Sequence, residues 1–252
     1  MVRTHRGRVT SVPDRTGEPE PHASGPDYPS RTEDHVRAGL ADMSWIVFGA
    51  GGHARSVADV ITRLGGIVIA VVGRPSTAWA VPVIDTDDEG LDLAARDRHA
   101  VALGVGSNSI RAEVLARCKA RGVSMPAIVA ATATVAIDST LGLATVVLEH
   151  AHVGPSSRVG DGVIVNTAAV VEHDCSVADL VHLGPRSAAL GGVRIGEAAA
   201  IGSGATLLPG VAVGAGAVVG SGSIVRRDVP PRSTVVGVPA RVIRRKVTTE
   251  DV

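Results

Sequence analysis

The sequence predicts a two-part chain: a small Rossmann-like α/β domain with a parallel sheet, then a parallel β-helix of hexapeptide repeats. Two observations carry this prediction. From Val129 to Val225 every sixth residue is Val, Leu or Ile, with Ala189 the single exception. Four residues after each stands a small or β-branched side chain, among them Ala133, Ser139, Thr145, Ser157, Cys175, Ser187 and Ser223. A period of six matches neither a helix nor a heptad. Ahead of the repeat, short apolar stretches alternate with helix-like ones, the pattern of a parallel α/β unit.

Residues 1–42 are rich in Arg, Pro, Ser, Glu, Asp and His and lack the apolar core of a secretory signal; they are expected to be a disordered extension. Met43 is a candidate start, because an apolar strand begins at once with Ser44-Trp45-Ile46-Val47-Phe48-Gly49. The α/β domain is expected over 43–125. A helix follows Gly52, with Val57, Val60, Ile61 and Leu64 as its apolar face, and Gly65-Gly66 ends it. Ile67 to Val72 is a second strand, Asp85 to His99 is polar and partly helical, and Val101 to Val105 is a third strand. Ser109 to Arg121 is a helix with Ile110, Val114, Leu115 and Cys118 on one side, and Met125-Pro126 marks the junction.

The coil is expected over 126–240, followed by a basic tail over 241–252 with Arg241, Arg244, Arg245 and Lys246. Each hexapeptide supplies one short strand and one corner. The aliphatic points inward and the small residue shares the crowded interior. Glycines directly after the aliphatic, as at Gly154 and Gly202, suit corners that need positive φ. Three hexapeptides make one triangular coil, so the run gives between five and six coils. No long loop interrupts it. A site must lie on a coil face, at a subunit contact, or where the other domain meets the coil.

Composition narrows the function. The 25 basic and 25 acidic residues balance, which gives no reason to expect nucleic acid or an anionic membrane as partner. Aromatics are 2%, and none lies in the repeat, which disfavours aromatic stacking platforms for sugars or bases. Cys118 and Cys175 form no disulfide framework, as suits a reducing cytoplasm, and Cys175 falls in the inward small-residue series. No apolar run reaches membrane-spanning length.

Two motifs carry chemistry. Gly49-Ala50-Gly51-Gly52-His53-Ala54 joins a strand to a helix, where bare amides attract phosphate. No acidic residue ends the second strand; Val72 is followed by Gly73 and Arg74, against a nicotinamide dinucleotide. The turn is therefore a site for another phosphate-bearing ligand or a structural tight turn. His53 sits in the first helical turn. The coil carries His150, His152, His173 and His182. His150 and His152 read as solvated face residues. His173 is flanked by Glu172 and Asp174, either of which could orient its imidazole as a general base. His182 follows half a coil later, so one subunit need not bring the pair together. No two of these histidines are five apart, the spacing that the zinc site of a β-helical carbonic anhydrase needs, so no metal is expected.

The stretches Gly49-Ala50-Gly51-Gly52-His53, Gly106-Ser107-Asn108-Ser109-Ile110-Arg111, Asn166-Thr167 with Glu172-His173-Asp174-Cys175, and Gly237-Val238-Pro239-Ala240-Arg241 carry a resemblance. With the unbroken repeat, the chain resembles the bacterial sugar O- and N-acyltransferases of the left-handed β-helix superfamily. It is most similar to those acting on sialic acid or on UDP-linked 4-amino sugars of the bacillosamine type. The resemblance implies a homotrimer with acetyl-CoA bound in grooves between adjacent coils. It makes His173 the base and Asp174 the acid that raises its basicity. It puts His182 near the acetyl group, Gly191 where a backbone amide meets the acetyl carbonyl, and Ser203 and Ser221 on CoA. Gly51, Gly52, His53 and Gly106 fall on the sugar-nucleotide side, and Asn166 near the acceptor. The basic tail is a solvated face or a contact for CoA phosphates. This chain departs from the pattern at Gly73-Arg74, where UDP-sugar members carry acids, and at Asp174, where the bacillosamine-type enzyme has a longer acid. The alternative is a non-catalytic trimeric scaffold or ligand sensor, which turnover would distinguish.

Overall fold

The computed structural model describes residues 40–75 and 78–245. The first domain runs β1 (Ser44–Phe48), α1 (Gly52–Arg63), β2 (Ile67–Val72), β3 (Val83–Ile84), α2 (Asp87–Asp97), β4 (Ala100–Leu103) and α3 (Asn108–Ala120). Its four strands are all parallel, in the order β3-β2-β1-β4. The apolar face read for the first helix is in place: Val57, Val60 and Ile61 are buried and Leu64 caps the end. The Thr86 side chain accepts from the Glu89 N–H and starts α2, whose first turn holds Asp87, Asp88 and Glu89 against the helix dipole.

Outside the coil, three expectations change. Most of the expected extension lies outside the described residues, but its last part, Leu40 to Asp42, is a turn on the core with Leu40 buried. Ile110, expected on the apolar side of α3, is 53% exposed, and its neighbour Arg111 is fully buried instead. The α3 helix packs its first turn on polar backbone of the coil, so that position requires hydrogen-bond donors, not a methyl group. At the other end, Arg241, Arg244 and Arg245 lie in a strand, not a tail; Lys246 is outside the described residues.

The repeat is a parallel solenoid of about six turns. Two-residue strands run from β5 (Ile128–Val129) to β21 (Ile224–Val225). They form three sheets of five, six and eight strands, the last including β22 (Ser233–Gly237) and β23 (Ala240–Arg245). Each strand pairs with its equivalent one coil on, as Ile164 with His182 and Val165 with Leu183. The inward aliphatics are buried, apart from half-buried Leu141. The small residues sit inside with them. Ser139, Thr145 and Ser157 donate to the carbonyls of Gly154, Gly160 and Glu172 at 2.6, 2.7 and 2.7 Å. These hydroxyls tie each coil to the next, each contributing about 1 kcal/mol.

The glycines after the aliphatics have a different role from the one expected. Positive φ falls elsewhere, on corners that also accept Ala144, His150, Ala168, Asp174 and Ala198. At Gly154 and Gly202 a Cβ would lie 2.8 Å from the His173 nitrogen and 2.5 Å from the Ser221 nitrogen. They allow the backbones of successive coils to approach.

The α/β domain shares one apolar core with the first coils, in which Trp45, Val57 and Ile61 join Ile128, Val129 and Val147. Polar clamps surround it. Lys119 pairs with the buried carboxylate of Asp161 at 2.6 Å, Arg63 pairs with Glu149, and the Asn108 amide donates to the Ala198 carbonyl at 2.7 Å. No helix of the described residues is long and apolar enough to cross a membrane.

Candidate active site

One group of polar residues occupies an open edge of the coil. His173 sits on the corner after β12 (Val170–Val171), and Asp174 takes φ 58° there, which turns its carboxylate back. Asp174 Oδ2 lies 2.8 Å from His173 Nδ1. Of the two flanking acids it is thus Asp174 that bonds the ring, and the bond is at Nδ1 and not at Nε2. One coil further, Gly191 lies directly against that ring: a Cβ there would be 2.5 Å from both Cε1 and Nε2 of His173. Among the described residues the Gly191 N–H donates to no backbone carbonyl, while the neighbouring Gly192 N–H bonds the His173 carbonyl at 2.9 Å. A free ring nitrogen therefore stands beside a free amide. Cys175 turns inward from the same corner, its Sγ 3.3 Å from the Leu190 carbonyl, and burial pushes its thiol pKa up.

A second group lies on the eight-stranded sheet, beneath the α/β domain. His182 opens β14 (His182–Leu183) and its ring centroid is 6.3 Å from that of His53. The Asn166 Nδ2 is 3.2 Å from His182 Nε2. Burial, then the charges of His182 and Arg111, bring the His53 pKa down to about 4. Burial and Arg111 lower that of His182 as well, against a hydrogen bond to the Gly106 backbone that raises it. Both imidazoles are thereby neutral at neutral pH. His53 Nε2 is buried and has no hydrogen-bond partner.

Above this pair is the glycine turn. Gly51 is the N-cap of α1 and makes no side-chain cap bond, so the first amides of the helix are uncapped. A Cβ at Gly51, Gly52 or Gly106 would meet nothing within 4 Å. Gly51 and Gly52 border open space at the N-terminus of α1, and Gly106 borders open space just ahead of α3; a positive helix end suits a phosphate group. Trp79 flanks the turn: its indole donates to the Ala50 carbonyl at 3.1 Å and Arg55 stacks on its ring at 4.6 Å. Arg74 is exposed.

The structure thus joins His173, Asp174 and Gly191, and separately joins His53, His182, Asn166 and Gly106. Ser203 and Ser221 are exposed one coil apart on the corner line that also carries Thr167, next to Asn166. Within one chain the two groups stand on different edges of the coil. His150 and His152 take part in neither: His150 is exposed, and His152 pairs with Thr134 at 2.7 Å. Sequence reasoning missed Arg111, Asn108 and Trp79. Only the Gly106-to-Arg111 stretch signalled the first two, and it did so through resemblance.

A hexapeptide coil with a carboxylate-held imidazole on its edge and a small α/β domain over one face defines an acyltransferase. Residues 45–118 match the PglD N-terminal domain family, and residues 192–227 match the bacterial transferase hexapeptide family of six repeats. The acetyltransferase domain of PglB from Neisseria gonorrhoeae, solved with acetyl coenzyme A, is 33% identical. The match covers 81% of this chain and 100% of that one, with a TM-score of 0.76. PerB from Caulobacter crescentus, solved with CoA and GDP-perosamine, is 34% identical over 79% of this chain and 96% of that one, TM-score 0.75. WeeI from Acinetobacter baumannii shares the fold at 24% identity, 80% and 100% coverage and a TM-score of 0.72. The chain belongs to this family of hexapeptide-repeat sugar acyltransferases.

Proposed function

We propose that this protein transfers the acetyl group of acetyl-CoA directly to the amino group of a nucleotide-linked sugar, with His173 as general base. The observation that carries it is the His173 ring, held by Asp174 at Nδ1 and presenting Nε2 beside the free amide of Gly191. The acceptor amine attacks the thioester carbonyl. Nε2 takes its proton as the bond forms, which contributes about 10²–10⁴-fold. Asp174 stabilises the imidazolium, and the Gly191 N–H meets the oxyanion; such a donor contributes roughly 3–4 kcal/mol. Collapse of the tetrahedral intermediate expels the CoA thiolate, which recovers the proton from His173. Cys175 is no nucleophile here, since it faces the core.

Support for the amine acceptor comes from relatives. A perosamine N-acetyltransferase 34% identical to this chain was solved with CoA and GDP-perosamine after one histidine was changed to asparagine. In this reading the sugar diphosphate lies at Gly51, Gly52 and Gly106, with His53 and Asn166 toward the sugar. CoA runs past His182, Ser203 and Ser221. A homotrimer completes the site, because the His173 edge of one subunit must meet the His182 face of another. The reaction is placed in the cytoplasm, where acetyl-CoA is available. Arg74 in place of an acid suits an additional phosphate or carboxylate on the acceptor.

The test is CoA release from acetyl-CoA with a nucleotide-linked 4-amino sugar, comparing wild type with His173→Ala. Turnover that collapses in the variant, with acetyl-CoA binding retained, is the expected result. A folded, CoA-binding wild type that shows no turnover on amino or hydroxyl sugars would favour the scaffold or sensor reading.

A further inference from the structure

The corner that carries His173 belongs to a line of corners running along the coil. Val171, Ala189, Leu207 and Val225 pair in register, each one coil on from the last. The residue after each keeps that register: the Glu172, Leu190 and Leu208 N–H groups donate to the Ala189, Leu207 and Val225 carbonyls at 2.9, 3.1 and 2.9 Å. Arg226, the residue after Val225, therefore stands three coils on from Glu172, and Arg227 follows it. Both side chains are exposed, and among the described residues neither makes an ion pair or a side-chain hydrogen bond. Their corner is short. Leu207 to Val213 takes six residues, whereas Val225 to Val229, which pairs with Val213, takes four. The Asp228 carboxylate closes it by accepting from the Ala212 N–H at 2.8 Å. The arginine pair is thus mounted on a corner bonded to the coil before it.

Charge is graded along this line. Toward the N-terminus it reaches an acid, Asp138, two coils before Asp174. Between the His173 corner and Arg226 its corners are uncharged, with Leu190 and Leu208 half-buried and Pro209 exposed. Acetyl-CoA has a matching order: a thioester, an uncharged arm, then an anionic pyrophosphate. The lengths match as well. Three coils at about 4.8 Å each put Arg226 about 14 Å beyond the base. The arm has about fourteen bonds from thioester carbonyl to first phosphorus, and at an extended-chain advance of about 3.5 Å per three bonds it reaches roughly 16 Å.

We propose that Arg226 and Arg227 bind the pyrophosphate of acetyl-CoA, with the arm lying along the corner line over Leu190 and Leu208 and the thioester at His173. This rests on the reading that the acetyl group is delivered between His173 and Gly191. Arginine suits the task, since its planar fork bonds two phosphate oxygens at once. Ser203 and Ser221 climb a different corner line in the same direction, so in the proposed trimer they flank the arm from the opposite wall.

Calorimetric titration of the whole protein with CoA, without acceptor, tests the assignment. The Arg226→Gln, Arg227→Gln double variant is expected to raise the CoA Kd about 30-fold or more and to flatten its dependence on salt. Its thermal unfolding is expected to be unchanged, since both side chains are exposed and unbonded. Dephospho-CoA keeps the pyrophosphate and lacks the 3′-phosphate, so it should lose affinity by the same factor. Arg158→Gln removes an exposed positive charge from β10 (Arg158–Val159), which follows the corner one coil before His173, and should stay within about twofold of wild type. A double variant that binds CoA as tightly as wild type overturns the proposal and leaves the catalytic reading standing. A loss seen with CoA but not with dephospho-CoA also overturns it, because the arginines would then meet the 3′-phosphate. So does an equal loss in Arg158→Gln, which would report net charge alone. A folded wild type that binds no CoA overturns the proposal together with the function on which it rests.

Discussion

Gly191→Ala tests the proposed base without touching it. Gly191 does not take positive φ, so alanine fits its backbone. The three atoms nearest the added Cβ all belong to the His173 ring, with Cε1 and Nε2 at 2.5 Å. To reach ordinary contact at 3.4 Å the ring must retreat by roughly 0.9 Å. The side chain is 61% exposed and has room to move, so the fold keeps its stability. Chemistry has no such tolerance. A misplacement of about 1 Å costs on the order of 100-fold, or about 2.7 kcal/mol in the barrier. The variant retains the Gly191 amide, so the loss reports on the imidazole and not on the oxyanion donor. The assay is steady-state CoA release, with thermal unfolding and acetyl-CoA binding as controls. Gly192→Ala serves as comparison: its Cβ meets nothing within 4 Å at φ +69°, on a corner type where Ala198 already stands, and full turnover is expected. A folded Gly191→Ala with kcat within about threefold of wild type would refute a base at His173 Nε2.

Cys175→Ala is expected to keep kcat within about twofold while losing about 1 kcal/mol of stability, read by urea unfolding, because the thiol bonds an interior carbonyl and faces no substrate. Ser187→Ala should be neutral or stabilising in the same assay, since its buried hydroxyl has no partner, whereas Ser157→Ala loses a bond to the Glu172 carbonyl and about 1 kcal/mol. The His53 pKa is about 4 folded against 6.5 unfolded, so the unfolded chain binds the extra proton between those values. Stability is therefore fully present above pH 6.5 and falls by about 3 kcal/mol as pH drops toward 4, with His182 adding in the same direction. Urea unfolding across that range checks it, and His53→Gln should flatten the profile.

The coil was legible because its rule is local: every sixth side chain must point inward, so Val129 to Val225 announce the strands without any tertiary knowledge. Asp174 and His173 were legible for the same reason, being chain neighbours on one corner. Gly191 against His173 is separated by one coil and came only through resemblance. Arg111 was legible only as the end of the Gly106-to-Arg111 stretch that carries the resemblance, which gave it no place in the fold. In a lone helix it reads as a solvated cation next to apolar Ile110, and the carbonyls that draw it inward belong to corners 162 and 180, far along the chain. The short strand Val83–Ile84 was likewise missed, because two residues show no period.

The clamp between Arg111 and two consecutive corners also makes the coil one-ended with respect to growth. Stacked coils are nearly interchangeable, each advancing the axis by about 4.8 Å. Inserting one ahead of Gly162 would slide the docking corners by that step away from a domain whose covalent connection, at Met125-Pro126, stays put. Inserting one beyond Gly210 would leave the clamp, His173 and Gly191 in register and lengthen only the far end. Length variation in such a chain is therefore confined to its C-terminal side, where coils can be added without disturbing the distance between the 105–108 loop and His173.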